Sequence, residues 1–302
     1  MESIIRHEQI TAATCLGIFE DGSPEWHQQR DEPGIITGSM IGTLLGLNQW
    51  ESPLSLFYKR TGQIDSWIEP SMSMKLGKAL EQPILDVFEG EHPDWTVYRT
   101  GTWESIEHPW LRANPDALYL DEHGELCLIE VKFSRNYFND EIPPSYRAQM
   151  MWYLGCLGIK RGLLVALADS AYKEIAIEFD EFEFSWMVAE AVKFRQMLET
   201  NTPPNFDGSN STYEAVRKVN PEIDGSEVEI AELLGIDLVN IATQIDELNV
   251  TLTELKSRTI DQMGKAKTAF IDVDGEKFVV AKRQQRGNGA PYVTVEKGKG
   301  NK

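Results

Sequence analysis

Residues 126–134 read LCLIEVKFS, an apolar run broken by an acid at Glu130 and an ammonium at Lys132. Side chains alternate across a strand, so Glu130 and Lys132 project from one face while Val131 turns to the other. Two charges in such a strand are costly unless they answer each other or a ligand. A structural ion pair meets that demand, and so does a reactive site.

The preceding segment favours chemistry. ANPDALYL at 113–120 places Asp116 just after Pro115, which cannot donate to a ladder, and the DEHG turn at 121–124 suits an antiparallel return. That return would bring Asp116 beside Glu130, although one sequence leaves the register open. Paired carboxylates repel unless protonated or neutralised. Hard oxygen donors in a His- and Cys-poor setting favour Mg²⁺, with Mn²⁺ as a substitute, over zinc. A divalent ion there would polarise a phosphodiester and acidify water, and Lys132, held protonated by its acidic neighbours, would stabilise developing charge. Glu81, in GKALE on a preceding helix, offers a carboxylate for a second ion; beside Lys75 and Lys78 it equally suits a solvated helix face. Gln149 and Tyr153 share a face of a later helix at i,i+4. Gln149 can hold water or phosphate, while Tyr153 and Tyr146 either support the site or fill the core.

Periodicity orders the rest of the chain. Helices are expected around 39–45, capped by Thr37 or Ser39, over PLSLFYKRTG up to Gly62, and from Met72 to Phe88 with a bend or break at Pro83. Three strand segments follow (TVYRTGTWES, WLRANPDALYL and ELCLIEVKFS), then a helix over PPSYRAQMMWYLGCLG, strands RGLLVALA and YKEIAIEF, and a helix to about 199. The expected architecture is α/β, a central mixed β-sheet flanked by helices over residues 1–200. Residues 201–225 read as a linker or long loop. Residues 226–302 read as an extension with a long helix and a β-hairpin turned at Asp274-Gly275. That long helix either covers its own domain or pairs with another copy as a coiled coil.

Composition bounds the partners. No apolar run approaches the ~20 residues of a membrane span, no secretory pattern opens MESIIRHEQI, and three scattered cysteines fit a reducing cytoplasm. The net charge of −19 is unevenly spread: residues 256–302 hold 11 Lys/Arg against 5 Asp/Glu, so the first 255 residues carry the deficit. Binding nucleic acid with such a chain requires a local cationic surface inside an acidic exterior.

Glu81, Asp116, Glu130-Val131-Lys132 and Gln149-x-x-x-Tyr153 stand in the order of the PD-(D/E)xK nucleases, and EWHQQRDEPGIITGSMIG at 25–42 narrows the resemblance to the YqaJ-type, lambda-exonuclease-like viral recombinases. The resemblance implies a PD-(D/E)xK nuclease core in which Asp116, Glu130 and the Val131 carbonyl ligate Mg²⁺, with Glu81 serving a second ion. It implies that Lys132 and Gln149 position the attacking water, with Tyr146 and Tyr153 supporting, and that Arg30 and Ser39 engage the terminal DNA phosphate, with Trp26 either stacking on a base or anchoring its segment. The implied function is degradation of one strand of linear double-stranded DNA from its 5′ end, leaving a 3′ overhang for recombination by strand annealing. Implied partners are a homo-oligomeric ring and a single-strand annealing protein, in a phage or prophage protein working in bacterial cytoplasm with no membrane. A PD-(D/E)xK endonuclease and a catalytically silent DNA-binding scaffold are the alternatives. The basic hairpin residues Lys282, Arg283 and Arg286 would guide DNA or simply be solvated.

Overall fold

The computed structural model describes residues 2–4, 6–66, 69–134, 142–169 and 171–296. The chain divides into two compact units, Met1–Glu222 and Ile223–Lys302. The first unit runs β1 (Glu2–Ser3), β2 (Ala13–Gly17), α1 (Pro24–Gln28), β3 (Ile36–Thr37), α2 (Gly38–Leu44), α3 (Pro53–Arg60), α4 (Met72–Glu91), β4 (Thr96–Arg99), β5 (Thr102–Ser105), β6 (Leu111–Ala113), β7 (Ala117–Leu120), β8 (Leu126–Ser134), α5 (Pro144–Leu157), β9 (Arg161–Ala168), β10 (Ala171–Glu178), α6 (Glu181–Glu199) and α7 (Asn210–Val219).

The larger sheet has the order β1-β4-β7-β8-β9-β10. It is mixed: β8 and β9 run parallel, which α5 makes possible by carrying the chain back across one face, while β7/β8 and β9/β10 are antiparallel. Alternation along β8 separates two cores. Leu126 and Leu128 pack with Met150, Trp152 and Leu154 of α5. Cys127, Ile129 and Val131 pack with Ile84, Leu85 and Phe88 of α4. Glu130 and Lys132 therefore share the α5 side with Leu128. The expected mixed sheet flanked by helices is the observed architecture.

Sequence and structure part company at the first strands. The two segments expected as single strands are each cut in two, TVYRTGTWES at Thr100-Gly101 and WLRANPDALYL at Asn114-Pro115-Asp116. Their halves enter different sheets. β5 and β6 join β2 and β3 in a four-stranded sheet ordered β2-β5-β6-β3, whereas β4 and β7 belong to the larger sheet. A proline without an N–H is a natural place to leave one ladder for another. Pro83, where a bend or break is expected, does not end its helix, and α4 continues to Glu91. The burial of Ile84, Leu85 and Phe88 just beyond it offsets the lost hydrogen bond.

Residues 210–219, expected as linker, form α7. Ser209 caps it by accepting from the Thr212 N–H at 3.1 Å, and the Thr212 hydroxyl donates to Ser52 Oγ at 2.8 Å, a buried pair that ties α7 to the start of α3. The second unit holds α8 (Glu232–Met263), β11 (Thr268–Val273), β12 (Glu276–Gln284) and β13 (Tyr292–Val295). The β11–β12 turn is the expected Asp274-Gly275, both at positive φ (55° and 87°) as a tight hairpin requires. Cys15, Cys127 and Cys156 are free, and among the described residues no helix is long and apolar enough to cross a membrane.

The β7–β8 turn is fastened by Asp121, 6% exposed. Its Oδ1 accepts from the N–H groups of His123 and Glu125, each at 2.9 Å, and its Oδ2 pairs with Arg161 of β9. Burial works against the charged form, but the two N–H groups and the guanidinium outweigh it and hold the carboxyl below its usual range. Asp121 thus contributes stability that is present above its unfolded pKa and lost as pH falls through the lower folded one. All 8 tryptophans lie in residues 1–222, so their fluorescence follows this unit alone. Asp121→Asn should lower its stability by roughly 1–3 kcal/mol near neutral pH. Repeating the fluorescence melts in progressively more acidic buffer should shrink the gap between the two proteins, and a gap independent of pH would remove the charge from the account.

Candidate active site

Register places the carboxylates. Ala117 pairs with Ile129, so Asp116, one residue earlier, arrives opposite Glu130 on the α5 side of the sheet. Asp116 Oδ2 accepts the Val131 N–H at 2.7 Å, which pins the acid to the next strand. Glu130 Oε1 receives Lys132 Nζ at 2.5 Å and Gln149 Nε2 at 2.6 Å, and Gln149 also donates to the Tyr153 hydroxyl at 3.0 Å. The i,i+4 spacing on α5 thus brings both residues onto the site. Tyr146 lies one turn earlier, its ring 5.2 Å from Lys132 Nζ.

Electrostatics follow from burial. The Glu130 side chain is 4% exposed and that of Lys132 20%. Burial, the Glu130 charge and the Glu81 charge push Asp116 well above the usual carboxylate range, against Lys132 and the Val131 N–H. Burial also raises Glu130, with Lys132 opposing. For Lys132 burial alone would favour the neutral amine, yet Glu130 and Asp116 prevail and hold the ammonium. Glu130 Oε2 is buried with no hydrogen-bond partner among the described residues, a costly condition for a carboxylate oxygen.

The smaller sheet builds the other half of the cleft. β3 runs parallel to β6 with Thr37 beside Arg112, and Trp103 of β5 faces Ala113. Ser39, Asn114 and Thr102 are thereby gathered at one end. Arg30 donates to Ser39 Oγ at 2.9 Å and to Asn114 Oδ1 at 3.2 Å, and Asn114 Nδ2 donates to Thr102 Oγ1 at 2.5 Å. The Arg30 guanidinium lies 4.2 Å from the centre of the Trp26 ring, so Trp26 supports the arginine directly. Neither Thr37 nor Ser39 caps α2 through its side chain; their hydroxyls meet each other at 2.9 Å instead. Asn114 and Thr102 were not singled out in the sequence, and only the strand pairing reveals them.

These residues line one cleft of about 530 Å³ that holds Trp26, Arg30, Ser39, Glu81, Asn114, Asp116, Glu130, Gln149 and Tyr153. Glu81 reaches it from α4 and pairs with Lys78 at 3.1 Å; Lys78 also reaches Asp21 at 2.6 Å. The lining carries Glu20, Asp21, Glu81, Asp116 and Glu130 against Arg30, Lys78 and Arg99, an excess of acid that repels a phosphate until cations enter. Among the described residues no three His, Cys, Asp or Glu side chains close around an ion unaided. Mg²⁺ does not need such a cage, since it is held by one or two carboxylates together with water and substrate phosphate. The unpartnered Glu130 oxygen beside Asp116 fits that pattern.

Gly38 sets the distance between the two halves. A Cβ there would meet Tyr153 Cε1 at 2.2 Å, so only glycine lets the ring lie on the first turn of α2. Gly38→Ala should cost about 1–3 kcal/mol by overpacking. Joined to Tyr153→Leu, it should cost clearly less than the sum of the single changes in fluorescence melts; simple additivity would place the strain elsewhere.

Over 261 residues the chain is 26% identical to the YqaJ protein of Bacillus subtilis (strain 168), covering 82% of this chain and 80% of that one. Among solved structures, the alkaline exonuclease of Laribacter hongkongensis is similar at 20% identity and TM-score 0.49, covering 66% of this chain and 99% of its own. A phage-related exonuclease from Haemophilus somnus 129PT is similar at 12% identity and TM-score 0.43, covering 55% and 96%. Residues 25–160 match the YqaJ-like viral recombinase domain.

Proposed function

We propose that the protein is a Mg²⁺-dependent nuclease that degrades one strand of linear double-stranded DNA from its 5′ end, leaving a 3′ single-stranded overhang for recombination by strand annealing. The observation that carries the reading is the shared cleft: Asp116 and Glu130, with Lys132 and Gln149 on the latter, open onto the space that holds Arg30 and Ser39. The match of residues 25–160 to the YqaJ-like viral recombinase domain supports nuclease chemistry.

In this reading Asp116, Glu130 and the Val131 carbonyl hold Mg²⁺ or Mn²⁺, and Glu81 serves a second ion. Bound divalent ions supply neutralising charge at the scissile phosphate and lower the pKa of water beside it. Gln149, fixed between Glu130 and Tyr153, orients the water by its amide. Lys132 stays an ammonium and stabilises negative charge as it develops, while Tyr146 packs beside it. Arg30 offers a planar fork to the terminal phosphate, and Ser39 a hydroxyl. Asn114 and Trp26 hold the fork in place. The working form is a homo-oligomeric ring in the bacterial cytoplasm that hands its product to an annealing protein.

A time course with asymmetrically end-labelled duplex and Mg²⁺ tests activity, polarity and end requirement together. Loss of the 5′ label first, a preference for 5′-phosphate over 5′-hydroxyl ends, and an intact closed circle are expected. Defined fragments from the circle would replace this reading with an endonuclease, and DNA binding without turnover in Mg²⁺ or Mn²⁺ would leave a silent scaffold. Chelation should abolish turnover. Glu130→Gln and Lys132→Ala should each reduce it by about 10²–10³-fold in protein still folded at the assay temperature. Because raised carboxyl pKa values set protons against the metal, the half-saturating Mg²⁺ concentration should fall as pH rises and then level off; a requirement flat with pH would contradict the ligand assignment.

A further inference from the structure

Helix α8 carries leucine or isoleucine at positions 234, 238, 241, 245, 248, 252 and 255, alternating steps of four and three residues. That is the a/d seam of a coiled coil. All seven side chains are between 40% and 68% exposed, and Met263 is the buried residue of the whole helix. The seam is about 32 Å long. A helix with so long an apolar stripe in water is short of a partner.

Charge identifies the partner and its direction. From 227 to 255 the chain has seven Asp/Glu and no Lys/Arg, whereas 256–267 has four Lys/Arg and one Asp. Parallel pairing of two copies would stack the acidic stretch on itself. Antiparallel pairing sets each acidic beginning against a basic end. The hydrophobic register agrees, because centring the pair between Ile245 and Leu248 matches Ile245 with Leu248, Ile241 with Leu252, Leu238 with Leu255 and Leu234 with Thr259 of the second copy. The same register puts Asp237 opposite Arg258 at both ends of the seam. Within its own helix Arg258 meets only Glu254, at 3.7 Å and well exposed, a contact too weak to compete. We propose that α8 is a self-association surface through which two copies of this chain pair as an antiparallel two-stranded coiled coil. The contact lies outside residues 25–160 and stands whether or not the nuclease reading holds.

A two-fold contact requires an even number of chains. Sedimentation equilibrium of the full chain at micromolar concentration should give an even multiple of 34.2 kDa. Leu248→Asp should halve that mass while the tryptophan melt of residues 1–222 stays as it was, which separates lost pairing from lost folding. Asp237→Arg and Arg258→Asp should each weaken association about fivefold by setting like charges together at both ends, and the two combined should restore it. An odd assembly, a mass indifferent to Leu248→Asp, or a double reversal weaker than either single change would each overturn the proposal; the last would indicate parallel strands or a different occupant of the seam.

Discussion

The pairing of Glu130 with Lys132 in the middle of an apolar strand is the constraint on which the amino-terminal unit turns. Both side chains lie largely out of water, and such a pair seldom gains more than apolar residues of similar size would. Val131, between them on the opposite face, shows how readily this strand accepts a simple hydrophobe. The pair is also incomplete, for one Glu130 oxygen has no partner among the described residues. Asp116 adds a third acid–base group whose ionised form burial and the Glu130 and Glu81 charges oppose. A sheet built only for stability has no use for this arrangement. A site completed by cations does, because an ion in the cleft removes the repulsion and satisfies the stranded oxygen together.

Two sheets share the task of building that site, and they meet in three residues. Asn114 ends the small sheet and steadies Arg30, Asp116 begins the strand of the large sheet that faces Glu130, and Pro115 joins them. The residue that steadies Arg30 and the first of the paired carboxylates are therefore two residues apart along a chain segment anchored at both ends. On the other side of the cleft, the Tyr153 ring against Gly38 sets the spacing between α5 and the first turn of α2. Relative placement is thus fixed by backbone and ring contacts, leaving the long side chains little to adjust.

The alternation of LCLIEVKFS and the DEHG turn made the Asp116–Glu130 meeting legible, since both depend on period and turn chemistry, which are local. Gln149 and Tyr153 were legible for the same reason, and so was the Asp274-Gly275 hairpin. The division of the early strands between two sheets was not. Thr100-Gly101 and Asn114-Pro115-Asp116 read as irregularities within strands, and only long-range pairing with Ala13–Gly17 and Ile36–Thr37 turns them into crossings. Asn114 and Thr102 were hidden with them. Helix α7 escaped notice because its polar run resembles a linker, and its order rests on hydroxyl contacts with Ser52, 160 residues away in sequence.

Charge gives the last link between fold and function. The acidic surplus of the first 255 residues extends into the cleft itself, where five carboxylates face three cations. Under the proposed function a nucleic acid entering there would meet repulsion from the same groups that would bind metal, so recognition and chemistry would both wait on the loading of divalent ions. Arg30 then has a specific task. It is held by Ser39, Asn114 and the Trp26 ring in a geometry that leaves its charge near the carboxylates without neutralising them. An arginine free to swing would collapse onto Glu130 or Asp116 and close the site. Anchoring it to neutral partners keeps the cation off the carboxylates.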